Sequence, residues 1–371
     1  IIKKYMNKSY YSLGLMSGTS GDGIDASLAI SDGKMELDII DNKYEGYSND
    51  IYGEFHELKG KIHKIEDIEK FSKELKDLER KLTLNNSTTV EVMKDRLFKK
   101  KKEKIDLVGF HGQTILHLPE EKFSLQLGDA KLLSQLTNTK VVYKFRENDL
   151  KNGGQGAPLA PIFHQLIVNQ KKIELPLTIL NLGGIANVTS IDKKNKISSS
   201  DIGPGNCLID NWIRLNSKLY YDEDGNLARS GKINKIILDQ SLENFYENQI
   251  SKKKSFDTND FDLSFMRGLS LEDGTATLTE FTAEICSKKI NYDKVYICGG
   301  GRKNLFLLDR IRKKINAKIE SIDKLGIDGD FVESQAFAYL ATRSYLKLPI
   351  SFPETTGCRK ACTGGDIVKN Y

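Results

Sequence analysis

Residues 14–30 read GLMSGTSGDGIDASLAI, in which glycines, small hydroxyl residues and aspartates separate two apolar segments. The apolar segments predict two strands of a hairpin, for which the Asp22-Gly23 pair alone would make a sufficient turn. The residues before that pair, 18–21, are therefore more than the turn needs. Exposed backbone N–H groups beside short hydroxyl side chains suit a phosphate. The stretch predicts a phosphate-binding loop, and hence a nucleotide.

The order of apolar strand followed by glycines and polar residues returns four times along the chain. It is found in IDLVGFHGQTILHLP, VVYKFRENDLKNGGQGAPLAP, LPLTILNLGGIANVTSID and KVYICGGGRKNLFLLDRI. Open α/β sheets bind ligands at the carboxyl ends of their strands. The stretch that starts at Leu175 repeats the pattern of the first hairpin, and 371 residues exceed one ordinary core. We therefore expect an α/β protein of two halves built on one plan.

Apolar residues between 65 and 82 recur at spacings of three and four, which predicts a helix. The LNNS segment at 84–87 is expected to break it, and a second helix is expected to end at the lysine run 99–104. No aromatic residues interleave with these lysines, and a net charge of +5 is mild for this length. This pattern favours a solvated helix end over a nucleic-acid-binding surface.

Cysteine usage and hydropathy indicate the compartment. The five cysteines lack the paired spacing of zinc ribbons or disulfide scaffolds, so we expect free thiols and do not favour a metal role for Cys358 and Cys362. The chain has no apolar stretch of signal-peptide or membrane-spanning length. We expect a cytoplasmic protein without membrane partners.

Eight blocks carry a closer resemblance. They are GLMSGTSGDGID, GFHGQTILHLP, LQLGDA, FRENDLKNGGQGAPLAPIFH, NLGGIANVT, DIGPGNCLIDNW, CGGGRKN and ESQAFAYLATR, in this order. The chain resembles the anhydro-N-acetylmuramic acid kinase family, within the superfamily of actin, hexokinase and heat-shock-chaperone ATPases. The resemblance covers almost the whole chain, and GQGAPL and DIGPGN are not general features of the superfamily.

The resemblance implies two similar domains of the actin-like ATPase (ribonuclease H-like) fold with an ATP cleft between them. We expect residues 1–135 with 343–371 to form domain I, and residues 136–342 to form domain II. The implied cofactors are ATP and Mg²⁺. The metal ligands stay open, because Asp22 is either a support for magnesium or simply a turn residue. Gly21 stands where the family usually has an apolar residue, which should loosen the loop.

The resemblance also implies the reaction, part of cell-wall amino-sugar recycling. Family members open the 1,6-anhydro ring of anhydro-N-acetylmuramic acid with water and phosphorylate it to N-acetylmuramic acid 6-phosphate. One alternative is a kinase of an ordinary hexose or amino sugar, and another is a nucleotide-switch module without catalysis. The expected partner is a small amino sugar and no nucleic acid, and a homodimer is left open.

Asp201 is the candidate general base, because it precedes GPGN at a strand end; the alternative is an N-cap of the following helix. Arg146 and Asp149 are expected to hold the sugar, with the arginine on its lactyl carboxylate, unless they form only a surface salt bridge. Glu333 is expected to orient the substrate, or else to be a first-turn glutamate favoured by the helix dipole. The remaining sugar candidates are His111, Gln113, Gln155 and Gly156. The ATP candidates are Gly18, Thr19, Ser20, Gly21, Asp22, Gly23, Ile24, Asp25, Gly183, Gly184, Gly299, Gly300, Gly301 and Asn304.

Overall fold

The computed structural model describes residues 8–247 and 255–371, without the side chain of Asn259. These residues belong to two compact units. Unit 1 comprises Ile1–Ile173 and Glu333–Tyr371, and unit 2 comprises Glu174–Val332.

The sheet of unit 1 has the strand order β12-β6-β4-β1-β2-β3, with β5 paired to β4. β1, β2 and β3 form an antiparallel meander, whereas β4 is parallel to β1 and to β6. The strands are β1 (Tyr10–Ser17), β2 (Gly23–Ser31), β3 (Leu37–Gly46), β4 (Leu107–Leu118), β5 (Phe123–Leu127), β6 (Lys140–Tyr143) and β12 (Asp366–Val368).

The sheet of unit 2 has the order β11-β10-β7-β8-β9. An antiparallel meander is again followed by two parallel strands, because β10 is parallel to both β7 and β11. The strands are β7 (Leu177–Leu182), β8 (Ile185–Ile191), β9 (Ile197–Pro204), β10 (Lys294–Cys298) and β11 (Lys318–Ser321). The core strand order of the two units is therefore the same, which confirms the expectation of two halves on one plan.

Helices complete both units. Unit 1 contains α1 (Asn49–Lys59), α2 (Ile65–Lys70), α3 (Ser72–Lys101), α4 (Ala130–Thr137), α5 (Glu147–Lys151), α6 (Pro161–Gln170), α13 (Pro353–Thr356) and, from Glu333 onward, α12 (Val332–Tyr345). Unit 2 contains α7 (Cys207–Asn216), α8 (Asn226–Ser230), α9 (Lys235–Glu247), α10 (Leu271–Ser287) and α11 (Leu305–Arg312). Among the described residues, no helix combines the length and the apolar character that crossing a membrane requires.

Two glycines set how closely α12 packs on the sheet of unit 1. A Cβ at Gly14 of β1 would lie 2.0 Å from the Ser334 carbonyl oxygen, and one at Gly109 of β4 would lie 2.4 Å from that of Phe337. The Ser12 hydroxyl also donates to the Ala338 carbonyl at 2.6 Å. Contacts this close hold the ends of β1 and β4, from which the candidate site is built.

The predicted helix break at residues 84–87 is wrong, because α3 runs through this segment without interruption. Its polar side chains bond to backbone carbonyls one turn earlier: Asn86 Nδ2 donates to Leu82, and Thr89 Oγ1 donates to Asn85. Such local bonds are compatible with a helix interior, so polar residues alone do not end a helix. The prediction that the lysine run follows a helix end is confirmed, since α3 ends at Lys101.

The domain boundaries differ from the expected ones after residue 135 and before residue 343. Residues 136–173 belong to unit 1, because β6 pairs with both β4 and β12 in its sheet. Residues 333–342 also belong to unit 1, because this part of α12 lies against β1. The boundaries at 173/174 and 332/333 replace the expected ones.

Candidate active site

The loop between β1 and β2, residues 18–22, is held by its carbonyl oxygens. The Gln113 side-chain amide donates to the Gly18 carbonyl at 2.7 Å, and a ring nitrogen of His56 bonds the Ser20 carbonyl at 2.8 Å. The Tyr47 amide donates to the Asp22 carbonyl at 2.9 Å, and the Tyr44 hydroxyl donates to the same oxygen at 3.0 Å. The loop is therefore fixed from β3, α1 and β4.

The backbone amides of the same loop make few hydrogen bonds to the described residues. Those of Thr19 and Ser20 make no hydrogen bond to the described part of the chain, whereas the Gly21 amide bonds back to Gly18 at 3.1 Å. The Ser20 hydroxyl donates to the Asp22 carboxylate at 2.7 Å. The carbonyls of this turn are thus bonded to the protein, whereas these two amides are not. A donor-rich turn of this kind binds phosphate oxygens.

Gly21 lies where a side chain would collide with another part of the chain, and its expected effect on the mobility of the loop stays a prediction. The residue has a φ of +63°, and a Cβ there would lie 2.2 Å from the Phe55 ring of α1. Phe55 is fully buried, so its ring already fills the space that a side chain at residue 21 would take. The apolar contact is made by another part of the chain.

Two glycines of the loop region differ in what a side chain would meet. At Gly18 a Cβ would have only the Ser20 hydroxyl within 4 Å, at 3.6 Å, whereas at Gly23 it would lie 2.5 Å from the Glu45 carbonyl oxygen of β3. We expect Gly18→Val to raise the KM for ATP with an unchanged melting temperature, and Gly23→Val to lower the melting temperature itself. Steady-state kinetics and thermal melts of both variants test this. Unchanged ATP kinetics in a folded Gly18→Val protein would remove the loop from the nucleotide site.

Arg146 is held by a buried histidine, His111, within β4. Its Nε and Nη2 donate to His111 Nε2 at 3.2 and 3.0 Å, and its Nη1 donates to the Gly156 carbonyl at 3.1 Å. His111 Nδ1 lies 2.8 Å from the Gly112 carbonyl. Since a carbonyl only accepts, the proton is on Nδ1, and Nε2 is the acceptor that the arginine requires. Burial, and then the Arg146 charge, hold the pKa of His111 well below its usual range.

Asp149 supports the neighbouring loop from a buried position. It is 1% exposed; its Oδ2 accepts from the Gly156 amide at 2.7 Å and its Oδ1 accepts from the Thr356 hydroxyl at 2.6 Å. The Gln155 amide donates to the Thr356 carbonyl at 2.9 Å. These bonds give Asp149 a positioning role in the loop, and its expected contact with the sugar stays a prediction. The alternative of a surface salt bridge with Arg146 is also wrong, because this carboxylate is buried and bonded to neutral donors.

Gln113 is 1% exposed and uses its amide nitrogen on the Gly18 carbonyl. Its Oε1 is buried and has no donor among the described residues. The carbonyl of Gly18 fixes which end of the amide faces the loop, because two acceptors would repel. A buried acceptor without a partner is uncommon in proteins, so Gln113 offers one acceptor to a bound hydroxyl or water.

In unit 2, the Gly183-Gly184 turn between β7 and β8 is bonded to the start of α7. The amides of Gly205 and Cys207 donate to the Gly184 carbonyl at 2.9 and 3.1 Å, and the Asn206 amide donates to the Gly183 carbonyl at 2.8 Å. A Cβ at Gly205 would lie 2.3 Å from the Gly183 carbonyl oxygen. The GPGN segment and this turn therefore form one compact piece.

Asp201 lies in β9 opposite Asn187, next to an irregularity in the pairing of β8 with β9. It is 7% exposed, and its Oδ2 accepts from the Phe256 amide at 2.9 Å. The N-cap of α7 is Asn206, so the alternative in which Asp201 caps this helix is wrong. A buried carboxylate that a backbone amide orients has the fixed position that a general base needs.

The Gly299-Gly300-Gly301 turn follows β10 and packs on β7. A Cβ at Gly299 would lie 2.4 Å from Asn181 Oδ1, and one at Gly301 would lie 2.7 Å from the Leu182 Cβ, whereas Gly300 has open space. The outer glycines are thus required by packing, and Gly300 is the one that leaves room for a ligand. Asn304 caps α11 by accepting from the Leu307 amide at 2.9 Å, so its oxygen already has a role in the fold.

The remaining candidate residues differ in how far their side chains are exposed. Glu333 is half-buried in the first turn of α12, as expected. Ile24 is fully buried in the core of unit 1, so only its backbone could reach a nucleotide. Asp25 is half-buried on β2, between Met16 and Tyr44 in the sheet.

Three buried histidines predict a dependence of stability on pH. Burial lowers the pKa of His164 to about 4 and that of His117 to about 3, and it also lowers that of His111. The unfolded chain binds these protons from about pH 6.5 downward. Stability should therefore be complete above that pH and decrease as the pH falls toward the folded pKa values. Each histidine contributes at most about 1.4 kcal/mol per pH unit.

We expect the melting temperature to drop between pH 7 and pH 5, and to drop less in His164→Gln. Thermal melts at both pH values measure this difference, and His63→Gln, at an exposed histidine, is the matched control. An equal pH-dependent drop in wild type and His164→Gln would contradict the assignment.

Several residues that build the site were missed from the sequence. Phe55 and His56 belong to α1, which was not predicted from the sequence. Phe256 is far along the chain from Asp201, and Thr356 is far from Asp149. None of the four lies in a glycine-rich segment, so the pattern that found the loops could not find their supports.

The chain was compared with known proteins. The family model described as Anhydro-N-acetylmuramic acid kinase matches residues 10–370. The anhydro-N-acetylmuramic acid kinase of Pelagibacter ubique (strain HTCC1062) is 50% identical, over 99% of this chain and 100% of its own length. That of Zymomonas mobilis subsp. mobilis is 35% identical, over 96% of this chain and 98% of its own.

Solved structures give weaker matches. The activator of the 2-hydroxyisocaproyl-CoA dehydratase from Clostridium difficile, with bound ADPNP, matches at a TM-score of 0.43 and 14% identity, over 90% of this chain and 94% of its own. A ROK family glucokinase from Streptomyces griseus, in complex with glucose and AMPPNP, matches at a TM-score of 0.39 and 13% identity. The match covers 90% of this chain and 99% of that one. Similarities of this size carry no argument about function.

Proposed function

Because the chain belongs to the anhydro-N-acetylmuramic acid kinase family, we propose that it uses ATP and water to convert anhydro-N-acetylmuramic acid into N-acetylmuramic acid 6-phosphate. The observation that carries the proposal is the family match over residues 10–370. The local chemistry of each unit agrees with it, since unit 1 contains a donor-rich loop and an oriented arginine, and unit 2 contains a buried carboxylate.

In this proposal Asp201 accepts a proton from the water that attacks the anomeric carbon. The bond from that carbon to the bridging oxygen breaks, and this oxygen, which stays on the sugar, takes the γ-phosphoryl group of ATP. A base placed on the face opposite the leaving oxygen is the arrangement of inverting glycoside hydrolysis. The support for this role is the buried position of Asp201 and its orientation by the Phe256 amide, which donates to Oδ2.

The amides of Thr19 and Ser20 are our candidates for phosphate contacts, and Gly300 is our candidate for close approach by the adenosine. A kinase of this class needs a divalent cation to neutralise charge on the phosphates. Magnesium prefers oxygen ligands, and the exposed Asp22 carboxylate, with one oxygen bonded to Ser20, fits that preference. When bound, Mg²⁺ would supply charge neutralisation at this loop.

Arg146 is our candidate for the lactyl carboxylate of the sugar. The neutral His111 and the Gly156 carbonyl accept three of its hydrogen bonds and so orient its guanidinium, whose forked donors suit a carboxylate. The buried Oε1 of Gln113 is our candidate acceptor for a sugar hydroxyl or for the attacking water. Glu333, Gln155 and Gly156 remain candidates for substrate contacts.

We propose the cytoplasm as the site of action. The support is that all five cysteines are free thiols, as is usual in a reducing compartment.

Coupled ADP release with a panel of amino sugars tests the proposal against its alternatives. We expect turnover with anhydro-N-acetylmuramic acid, and little with N-acetylmuramic acid, N-acetylglucosamine or glucose. Faster turnover of an open sugar would favour an ordinary sugar kinase. Nucleotide binding without ADP release on any sugar would favour a switch module.

A further inference from the structure

A cluster of metal-ligating groups lies in unit 1, and its two cysteines are not among the residues assigned to ATP or sugar contacts. Ligand atoms of Asp149, Cys358 and Cys362 all lie within 4.8 Å of one another, and all three residues are buried. Their exposed fractions are 1%, 1% and 4%. The two cysteines follow α13 in the C-terminal segment, whereas Asp149 belongs to α5.

The carboxylate of Asp149 has no cationic partner among the residues that the structure describes. Its two hydrogen bonds come from the neutral Thr356 hydroxyl and Gly156 amide. A buried carboxylate without a countercharge is unfavourable. A cation at the cluster would supply the missing charge, and the two existing hydrogen bonds would orient the carboxylate as they do for many metal ligands.

The thiols are arranged around one carbonyl oxygen. The Cys358 and Cys362 thiols both donate to the Lys360 carbonyl, at 3.1 and 3.0 Å. The cluster thus contains two sulfurs, a carboxylate oxygen and a carbonyl oxygen. Sulfur ligands select thiophilic ions such as Zn²⁺ over Mg²⁺ or Ca²⁺. A surface pocket lined by Asn152, Lys360 and Cys362, among others, borders the cluster at Cys362.

We propose that Asp149, Cys358 and Cys362 form a binding site for one thiophilic divalent cation of the Zn²⁺ class. Binding exchanges each thiol S–H bond for a sulfur–metal bond and releases two protons to solvent, with no change of oxidation state.

The position of the cluster gives the ion a structural role. The Arg359 amide donates to the Asn152 carbonyl at 3.1 Å, and the Gln155 amide donates to the Thr356 carbonyl at 2.9 Å. These bonds join the C-terminal segment to the loop whose Gly156 carbonyl holds Arg146. A bound cation would join the same two segments through stronger bonds, and so stabilise the loop. This inference does not depend on the proposed reaction.

The test is uptake of Zn²⁺ and Co²⁺ by the full chain, freed of any affinity tag and kept reduced with a non-chelating phosphine. We expect about one Zn²⁺ per chain, a raised melting temperature, and a sulfur-to-cobalt charge-transfer band with Co²⁺. Cys358→Ser and Cys362→Ser should each weaken binding at least about tenfold and remove that band. Cys207→Ser, which removes a thiol from unit 2, is the matched control and should bind as wild type does.

Asp149→Asn tests the contribution of the carboxylate apart from that of the thiols. It should weaken Zn²⁺ binding, while the amide oxygen of asparagine can still accept a hydrogen bond. If this variant does not fold, the two cysteine variants still decide the question. Zn²⁺ uptake by wild type that equals uptake by a folded Cys358→Ser/Cys362→Ser double variant would overturn the proposal. A cobalt spectrum without sulfur charge transfer would overturn it as well.

Discussion

Replacing Asp201 by asparagine is expected to slow turnover at least about a hundredfold, while ATP and the sugar still bind. Asparagine keeps the size of the side chain and one oxygen that can accept from the Phe256 amide, so the bond at 2.9 Å can persist. What it loses is the basicity that takes a proton from water. Loss of a positioned general base costs roughly 10² to 10⁴ in rate, or about 3 to 5 kcal/mol of transition-state stabilisation.

Steady-state kinetics, calorimetry for both ligands and a thermal melt check this result together. Asp239→Asn changes an exposed aspartate of α9 in the same unit and is the matched control. Turnover of a folded Asp201→Asn protein near that of the parent would remove Asp201 from the reaction. If Asp201→Asn both melts at a lower temperature and loses ligand binding, Asp201 has a structural role.

Replacing Arg146 by alanine is expected to raise the KM for the sugar about 10- to 100-fold and to leave ATP affinity nearly unchanged. A hydrogen bond to a charged group contributes about 1.5–3 kcal/mol, and the forked guanidinium can make two such bonds to one carboxylate. Arg146→Lys keeps the charge but not the fork, so it should recover only part of the affinity. Arg96→Ala, at a surface ion pair of α3, is the control.

Calorimetric titration of each variant with the sugar and with an ATP analogue separates the two ligands. Equal weakening of both would show that Arg146 acts by supporting the fold. Removal of the lactyl group from the sugar provides a second test, since Arg146→Ala should then have little further effect on binding.

The loops could be predicted from the sequence because glycines after apolar strands are a local signal. The turns at residues 18–22, 183–184 and 299–301 all follow the predicted strands. Their supports depend on contacts far apart along the chain, which no local pattern encodes. Thr356 reaches Asp149 across 207 residues, and Phe256 reaches Asp201 across 55.

The same limit explains what the sequence did not show at Gly21 and Asp149. An apolar residue appeared to be missing at residue 21, but Phe55 occupies that space from another helix. Asp149 looked like a polar residue beside a glycine loop, yet its burial is decided by α13 and the segment that follows it. Composition identifies which segments can bind, and packing decides which side chains within them remain available to a ligand.

Turnover in oxygen-18 water tests the coupling of hydrolysis to phosphorylation most directly. If water attacks the anomeric carbon and the bridging oxygen accepts the phosphoryl group, the label must appear on the anomeric hydroxyl of the product. The reaction is quenched rapidly, because the opened sugar slowly exchanges that oxygen with solvent. We predict label on the anomeric oxygen and none in the phosphoryl group; label in the transferred phosphoryl group would contradict the account.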